Sequence, residues 1–469
     1  MSKIRETADL FDKIIKDTGI EKYKYTIVNS EKRELNLENG EFKLFRTVFS
    51  NSGSIKVFKD NKIGSASGND ISEEGLTGLA KDAYVAAESS QEDPAHDIAP
   101  HVDPHVFKQG VLEPDIDKFI ERIKELLDTI AKEYPLVKVF SSTGSYDRHN
   151  WISRNSNGTE YEGFSGSYGI SIEICASDGT ATTGMDYCGV GMIDLDTPII
   201  ELGDFRNHLR DIEKSIHPET VEGKFEGAMI LTPASTGDFI SMVLGNYISD
   251  SVIIEGTSQW LDKVGEQVAS DKLTVRLDPF DERIQIGERA TANGFLAEPV
   301  TLIDKGVLKT HWLSLYAANK TGRPVVKNTG FDLIIEPGDK SYDEILASID
   351  KGIILGRFSG GSPGANGEFS GVAKNSFLIE NGKIKCAVAE AMISGNLGDV
   401  VKNIRGISTE LFCDGGSVVP YIAVDGIVIS GKYLFNVTGG RFSCHTMDRY
   451  SWCDKRTVPL SHKDDIFLN

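Results

Sequence analysis

Ser376–Cys386, "SFLIENGKIKC", reads as an apolar strand, a short Gly turn and a second strand. Val300–Thr310, "VTLIDKGVLKT", follows the same plan. The two hairpins make the second half of the chain mainly β. No fixed period carries them further, so the chain is not a repeat protein. Between them, "FSGGSPGANGEFSG" at 358–371 is glycine-rich and reads as a flexible loop beside a strand. It lacks the Gly-Lys-Ser/Thr ending of a phosphate loop.

The first half is patterned differently. Helical spacing runs over 2–19, 72–89, 202–214 and, most clearly, 115–134, with Ile116, Phe119, Ile123, Leu126, Leu127 and Ile130 on one face. Strands are predicted at Tyr23–Val28, Glu34–Leu37, Phe42–Val48, Val137–Ser142, Trp151–Ser153, Thr159–Phe164, Gly169–Ala176 and Gly184–Gly191. Ser54–Phe58 and Lys62–Ala66 form a hairpin around Lys59-Asp60-Asn61, and Asn157-Gly158 marks another turn. Residues 90–114 read as a Pro-rich loop. The fold class is α+β. An N-terminal α/β layered domain with an antiparallel sheet and helices (1–220) precedes a mainly-β, barrel-like domain (221–432) and a tail of different composition (433–469).

At 469 residues, the chain is too long for one core. Its net charge of -20 repels phosphate backbones, so nucleic acid is not an expected partner. No run has the length of a signal peptide core or of a membrane span, and six cysteines are too few for a disulfide scaffold. These features predict a cytoplasmic protein without a membrane partner.

No His-Glu-x-x-His pair, Gly-x-Ser-x-Gly elbow or dinucleotide fingerprint occurs. His101 and His105 lie in the Pro-rich segment and read as surface histidines. Cys444, His445 and Cys453 could bind metal, but their spacing matches no standard zinc module. Cys413 reads as a small buried hydrophobe. Ser235–Asp250, "STGDFISMVLGNYISD", reads as a buried helix opened by a Ser235/Asp238 capping signature. Phe239, Ile240, Val243, Leu244 and Tyr247 form its apolar face; Ser241, Gly245 and Ser249 form a small-residue face suited to close packing.

Four ordered stretches carry a family resemblance: "EGTSQWLDKVGEQVAS" (255–270), "GVLKTHWLSLYAANKTG" (306–322), "FSGVAKNSFLIENGKIKCAVAEAMISGNLGDVVKNI" (369–404) and "CDGGSVVP" (413–420). On these, residues 226–431 resemble the TldD/PmbA family, which is metallopeptidase-related and also carries the name modulator of DNA gyrase. TldD-like members hold His-Glu-x-x-x-His shortly before the Gly-Thr-Ser segment, with a later Cys as third zinc ligand. Here the resemblance places the two histidine positions on Ser241 and Asn246, the glutamate position on Met242, and the Cys near Cys413. Zinc hydrolysis needs about three protein ligands, an open position and a carboxylate base. Ser, Met and Asn do not supply them.

The resemblance therefore implies a PmbA/TldE-like subunit with no catalytic residues and no metal of its own, and zinc only in a TldD-like partner. It would form a heterodimer, or a homodimer when isolated, acting on unfolded peptide. Gly360, Gly361, Ser362, Gly364, Gly367 and Phe369 are the candidates for lining the peptide path. The alternatives are a stand-alone peptide-binding or scaffold protein, and a hydrolase with an unrelated Cys/His site.

Overall fold

The computed structural model describes residues 3–38 and 40–431. The first sheet contains seven strands: β1 (Lys22–Glu38), β2 (Glu41–Lys59), β3 (Lys62–Gly68), β4 (His105–Gly110), β5 (Val137–Asn155), β6 (Glu160–Ala176) and β7 (Asp186–Met192). Its order is β3-β2-β1-β5-β6-β4, with β7 also on β6, and only β4 runs parallel to its neighbour. It curves as an antiparallel half-barrel. Helices α1 (Lys3–Asp17) and α2 (Glu73–Ser89) share one core with one end of the sheet. Helices α3 (Ile116–Glu133) and α4 (Phe205–Lys214) cover the other end.

The predicted strands are longer than the sequence suggested. Pairs separated by polar residues, such as Tyr23–Val28 and Glu34–Leu37, fuse into single strands of 17 to 19 residues. The polar residues between them pair across strands, as Asn29 does with both Asn51 and Asn150. Backbone pairing therefore continues where apolar alternation stops. The segment 90–114 is not all loop. His105–Gly110 is β4, whose side chains stay partly exposed and leave no apolar signature.

The second sheet is large and mixed. Its thirteen strands are β8 (Lys224–Leu231), β9 (Val275–Leu277), β10 (Val300–Asp304), β11 (Val307–Leu308), β12 (Leu333–Ile335), β13 (Lys351–Leu355), β14 (Arg357–Gly360), β15 (Glu368–Lys374), β16 (Ser376–Glu380), β17 (Lys383–Val388), β18 (Ala391–Asn396), β19 (Ile404–Cys413) and β20 (Val418–Ser430). Strand β20 is its hub, pairing with β8, β12, β18 and β19. The predicted hairpins are present. Asp60-Asn61, Lys305-Gly306 and Asn381-Gly382 each hold two consecutive residues at positive φ, as a type I′ turn requires.

The segment 358–371 is a loop, 361–367, held between the two strands of a hairpin. Phe358, Ser359 and Gly360 on β14 pair with Ala373, Val372 and Gly371 on β15.

Helix α5 (Pro233–Tyr247) lies against this sheet. It begins earlier than Ser235: Thr232 is the N-cap, followed directly by Pro233, whose fixed φ suits the first turn. Ser235 does not cap. Its hydroxyl donates to the carbonyls of Leu355 and Gly356 at 3.1 and 2.9 Å. The apolar face predicted from sequence is buried throughout. Phe239 sits edge-on to Phe358 and Phe369, and Tyr247 stacks on Trp260 at 4.4 Å between ring centroids. Phe239→Ala is expected to destabilise the fold by about 3–5 kcal/mol, read as a lower urea midpoint.

Candidate functional site

A cavity of about 460 Å³ lies where the two sheets meet. One wall is the exposed face of α5: Pro233, Ala234, Gly237, Asp238 and Ser241. Tyr187, Cys188 and Gly189 of β7 and Asp204, Phe205 and His208 of the α4 start form the second. The third is the β19–β20 turn, with Phe412, Cys413, Asp414, Gly416 and Ser417. A Cβ built on Gly237 meets nothing within 4 Å, so the small residues of α5 create the space. The small-residue face therefore borders open space rather than a packed element. Gly245 is likewise open, and Ser249 lies beyond the helix as the N-cap of α6 (Asp250–Ile254).

The turn is fixed from within. Asp414 accepts from the backbone N–H of Gly416 and Ser417 at 2.9 and 2.7 Å, and Gly415 takes φ +94°. Gly191 N–H donates to the Asp414 carbonyl at 3.1 Å, tying β7 to the turn. The Cys413 thiol donates to the Arg283 carbonyl at 3.0 Å, and burial pushes its pKa up.

The opposite wall is charged. Asp186, which lies behind that wall and borders a second, smaller cavity, is buried and accepts from the Asn375 amide. His208 Nε2 lies 3.0 Å from Asp186 Oδ2, at ion-pair distance. Burial opposes the charge on both groups, but their mutual attraction prevails, lowering the Asp186 pKa and raising that of His208. Asp204 is pushed up to about 6 by burial, although Asn207 donates to it at 2.7 Å. Asp238 is also raised by burial and has no hydrogen-bond or ion-pair partner among the described residues. Asp204, His208, Ala234 and Asp238 also border a second cavity of about 270 Å³, bounded on its far side by Arg357 and Asn375.

Of the residues singled out from sequence, the structure brings Ser241 and Cys413 to one cavity. Met242 packs on the core, and Asn246 does not line the cavity. At about 100° per residue, Asn246 points roughly 140° away from Ser241 around the helix. Gly360, Gly361, Ser362 and Gly364 are exposed on the 358–371 segment. Gly367 and Phe369 are buried: a Cβ on Gly367 would strike the Tyr247 hydroxyl, and Phe369 belongs to the aromatic core. His101 and His105 bond the carbonyls of Asn157 and Asp103. Cys444, His445 and Cys453 lie outside the described residues.

The donor chemistry does not fit a catalytic zinc ion. The Ser241 hydroxyl is committed to the Gly237 carbonyl at 2.8 Å, and the Cys413 thiol to the Arg283 carbonyl at 3.0 Å. Among the described residues no three His, Cys, Asp or Glu side chains converge as metal ligands. Sequence reading missed Asp186, Asp204, His208 and Asp238. They lie in three separate elements, and no local spacing connects them.

The two sheets thus meet at a cavity of which helix α5 forms one wall. Residues 224–431 match the PmbA/TldA metallopeptidase C-terminal domain, and residues 27–87 match domain 1 of the same family. The chain belongs to the TldD/PmbA family. It is 26% identical over 424 residues to a metalloprotease of Methanocaldococcus jannaschii, covering 83% of this chain and 91% of that protein. It is 24% identical to metalloprotease PmbA of Escherichia coli O157:H7, covering 76% and 80%. In fold it matches TldE of Thermococcus kodakarensis with a TM-score of 0.72 at 20% identity, over 91% of this chain and 99% of that one. A Bacteroides thetaiotaomicron protein bearing the DNA gyrase modulator name gives 0.78 at 22% identity, over 92% and 100%.

The raised Asp204 predicts a pH slope. Between the ordinary aspartate value and about 6, the folded chain keeps a proton that the unfolded chain releases. Stability conferred by the protonated form is thus lost as pH rises through that window. Asp204→Asn is expected to be more stable than the wild type by on the order of 1–3 kcal/mol near pH 7, with the advantage shrinking toward pH 4. Urea midpoints across that range measure it.

Proposed function

We propose that this chain is the non-catalytic, PmbA/TldE-like subunit of a TldD/TldE-type metallopeptidase complex that processes unfolded peptides in the cytoplasm. The observation that carries this is the α5 wall. Ser241 occupies a position where the resemblance expects a zinc ligand, and it borders an open cavity together with Cys413. The cavity has room for a peptide segment, but among the described residues its side chains do not converge as a metal-ligand set. The metal, the base and the attacking water would come from the TldD-like subunit.

The same reading assigns the peptide path. Strand β14 pairs only with β15 among the described strands, so its other edge is free. An extended peptide can add to such an edge through backbone hydrogen bonds. Arg357 opens β14 and also borders the second cavity, so this edge leads toward the α5 wall. Gly360, Gly361 and Ser362 would then flank the peptide, whereas Gly367 and Phe369 would support the hairpin from behind. A cysteine hydrolase is less well supported, because the Cys413 thiol donates to a backbone carbonyl and not to an imidazole.

The test combines the purified chain with a TldD-like subunit. Cleavage of an unfolded peptide is expected only in the mixture, with stoichiometric zinc in the partner and none in this chain. Ser241→Trp, which fills the cavity, is expected to slow cleavage by about tenfold or more while leaving co-elution unchanged. Stoichiometric zinc in this chain alone would sink the reading.

A further inference from the structure

The two cavities of the seam, about 460 and 270 Å³, share one partition: Tyr187, Asp204, His208, Ala234 and Asp238 border both. The carboxylates around it differ in what holds them. Asp414 accepts from the N–H groups of its own turn. Asp186 accepts from Asn375 and faces His208, and Asp211 pairs with Arg210 at 3.1 Å. Asp204 and Asp238 are left over. The Asn207 amide, at 2.7 Å, is the one donor to the Asp204 side chain, and Asp238 has no partner among the described residues.

Acidic side chains on their own usually form a solvated face. Two further observations set this pair apart. Tyr187 and Phe331, 57% and 39% exposed, line the larger cavity beside them. The Tyr187 hydroxyl is bonded to Glu173 at 3.0 Å, which anchors the far end of the ring. Aromatic rings left open in a concave site attract cations through their faces. The chain also supplies no cation of its own to the larger cavity, whose lining holds no lysine or arginine. Arg357 borders only the smaller cavity, where its field falls on Asp186. Burial meanwhile penalises the charge on Asp204 and on Asp238. Charges kept in a cleft at such a cost mark a functional site.

We propose that this partition is a subsite for a cationic group of the bound peptide, with Asp204 and Asp238 as its acceptors and the Tyr187 ring against it. The inference rests on the reading that the seam receives peptide, and it names the class of peptide the seam selects. An ammonium brings three N–H donors and a guanidinium five, and an ionised carboxylate is an acceptor only. Charge-assisted hydrogen bonds of this kind are the strong ones. A peptide carries the required group in two places, a lysine or arginine side chain and a free amino terminus.

Fluorescence anisotropy of the full chain alone, with short unfolded peptides labelled at the carboxyl end, tests the subsite. One pair of probes is amino-acetylated and differs by a single lysine replaced by glutamine. The other pair has no basic side chain and differs by a free or acetylated amino terminus. The cationic member of at least one pair is expected to bind about tenfold or more tightly, and the pair that shows it identifies the source. Asp204→Asn/Asp238→Asn is expected to abolish the preference without lowering the melting temperature, and Tyr187→Leu to reduce it about two- to fivefold. Glu121→Gln/Asp128→Asn removes the same charge from exposed positions of α3 and is expected to leave the preference intact. No binding, or binding indifferent to charge in both pairs, overturns the subsite. So does a preference that survives Asp204→Asn/Asp238→Asn, or one that the α3 substitutions remove equally. Zinc content and cleavage with a TldD-like subunit are read separately, so the subsite can fail while the subunit reading stands.

Discussion

Helix α5 answers two opposite demands with one stretch of 15 residues. Its apolar face must be buried against the mixed sheet, and Phe239, Ile240, Val243, Leu244 and Tyr247 meet that demand. The aromatic contacts with Phe358, Phe369 and Trp260 set the helix's rotation about its axis. Once that rotation is fixed, Ala234, Gly237 and Ser241 must face the seam between the sheets. None of them fills the space in front of it, so the cavity results from the core packing behind it. The Thr232 and Ser235 hydroxyls, both bonded to the Leu355 carbonyl, hold the start of the helix to the end of β13. The wall is rigid for the same reason that the core is dense.

The seam also has a definite electrostatic character. The larger cavity is lined by Asp204, Asp238 and Asp414, and its lining contains no lysine or arginine. Against the effect of its burial, Asp186 raises the His208 pKa, but one histidine cannot offset every carboxyl around it. Asp204 and Asp238 carry raised pKa values because burial penalises the charged form, an effect that Asn207, His208 and Arg210 offset only in part at Asp204. Arg357 stands on the far side of the second cavity and is the basic counterpoint along that route. A neutral or cationic group entering the seam is favoured over an anionic one, which accords with a peptide backbone more readily than with a phosphate.

Much of the fold was legible in the sequence because its signals are local. Asn381-Gly382 forces a type I′ turn wherever the rest of the chain lies, and the stripe from Phe119 to Ile130 forms one buried face of α3. What was not legible depended on pairing. Asn29 and its polar neighbours look like a break between strands, but strands on both sides satisfy their backbone groups. Ser235 resembles an N-cap, but Pro233 can occupy a first-turn position without losing a hydrogen bond, so the helix starts earlier. The glycines of 358–371 suggest flexibility, but Gly371 is required because the Phe358 ring crosses it. In the site, Ser241 and Cys413 could be located by resemblance. The Asp186, Asp204 and His208 wall could not, since only the packing of β7 against α4 brings it to the seam.

The two departures from a zinc site do not carry equal weight. The raised thiol pKa of Cys413 reflects burial and the nearby carboxylates Asp414 and Asp281. A bound divalent cation would reverse that logic, because a coordinating thiol is deprotonated by the ion itself. The raised thiol pKa thus says little about capacity to bind a metal. Ser241 is different. Its hydroxyl is bonded to Gly237 within the helix, and its side chain is too short to take the place of an imidazole across an open cavity. Met242 offers no exchangeable proton at all. The helix therefore sets the limit on metal chemistry here through its side chains, while its backbone and packing still hold the cavity open.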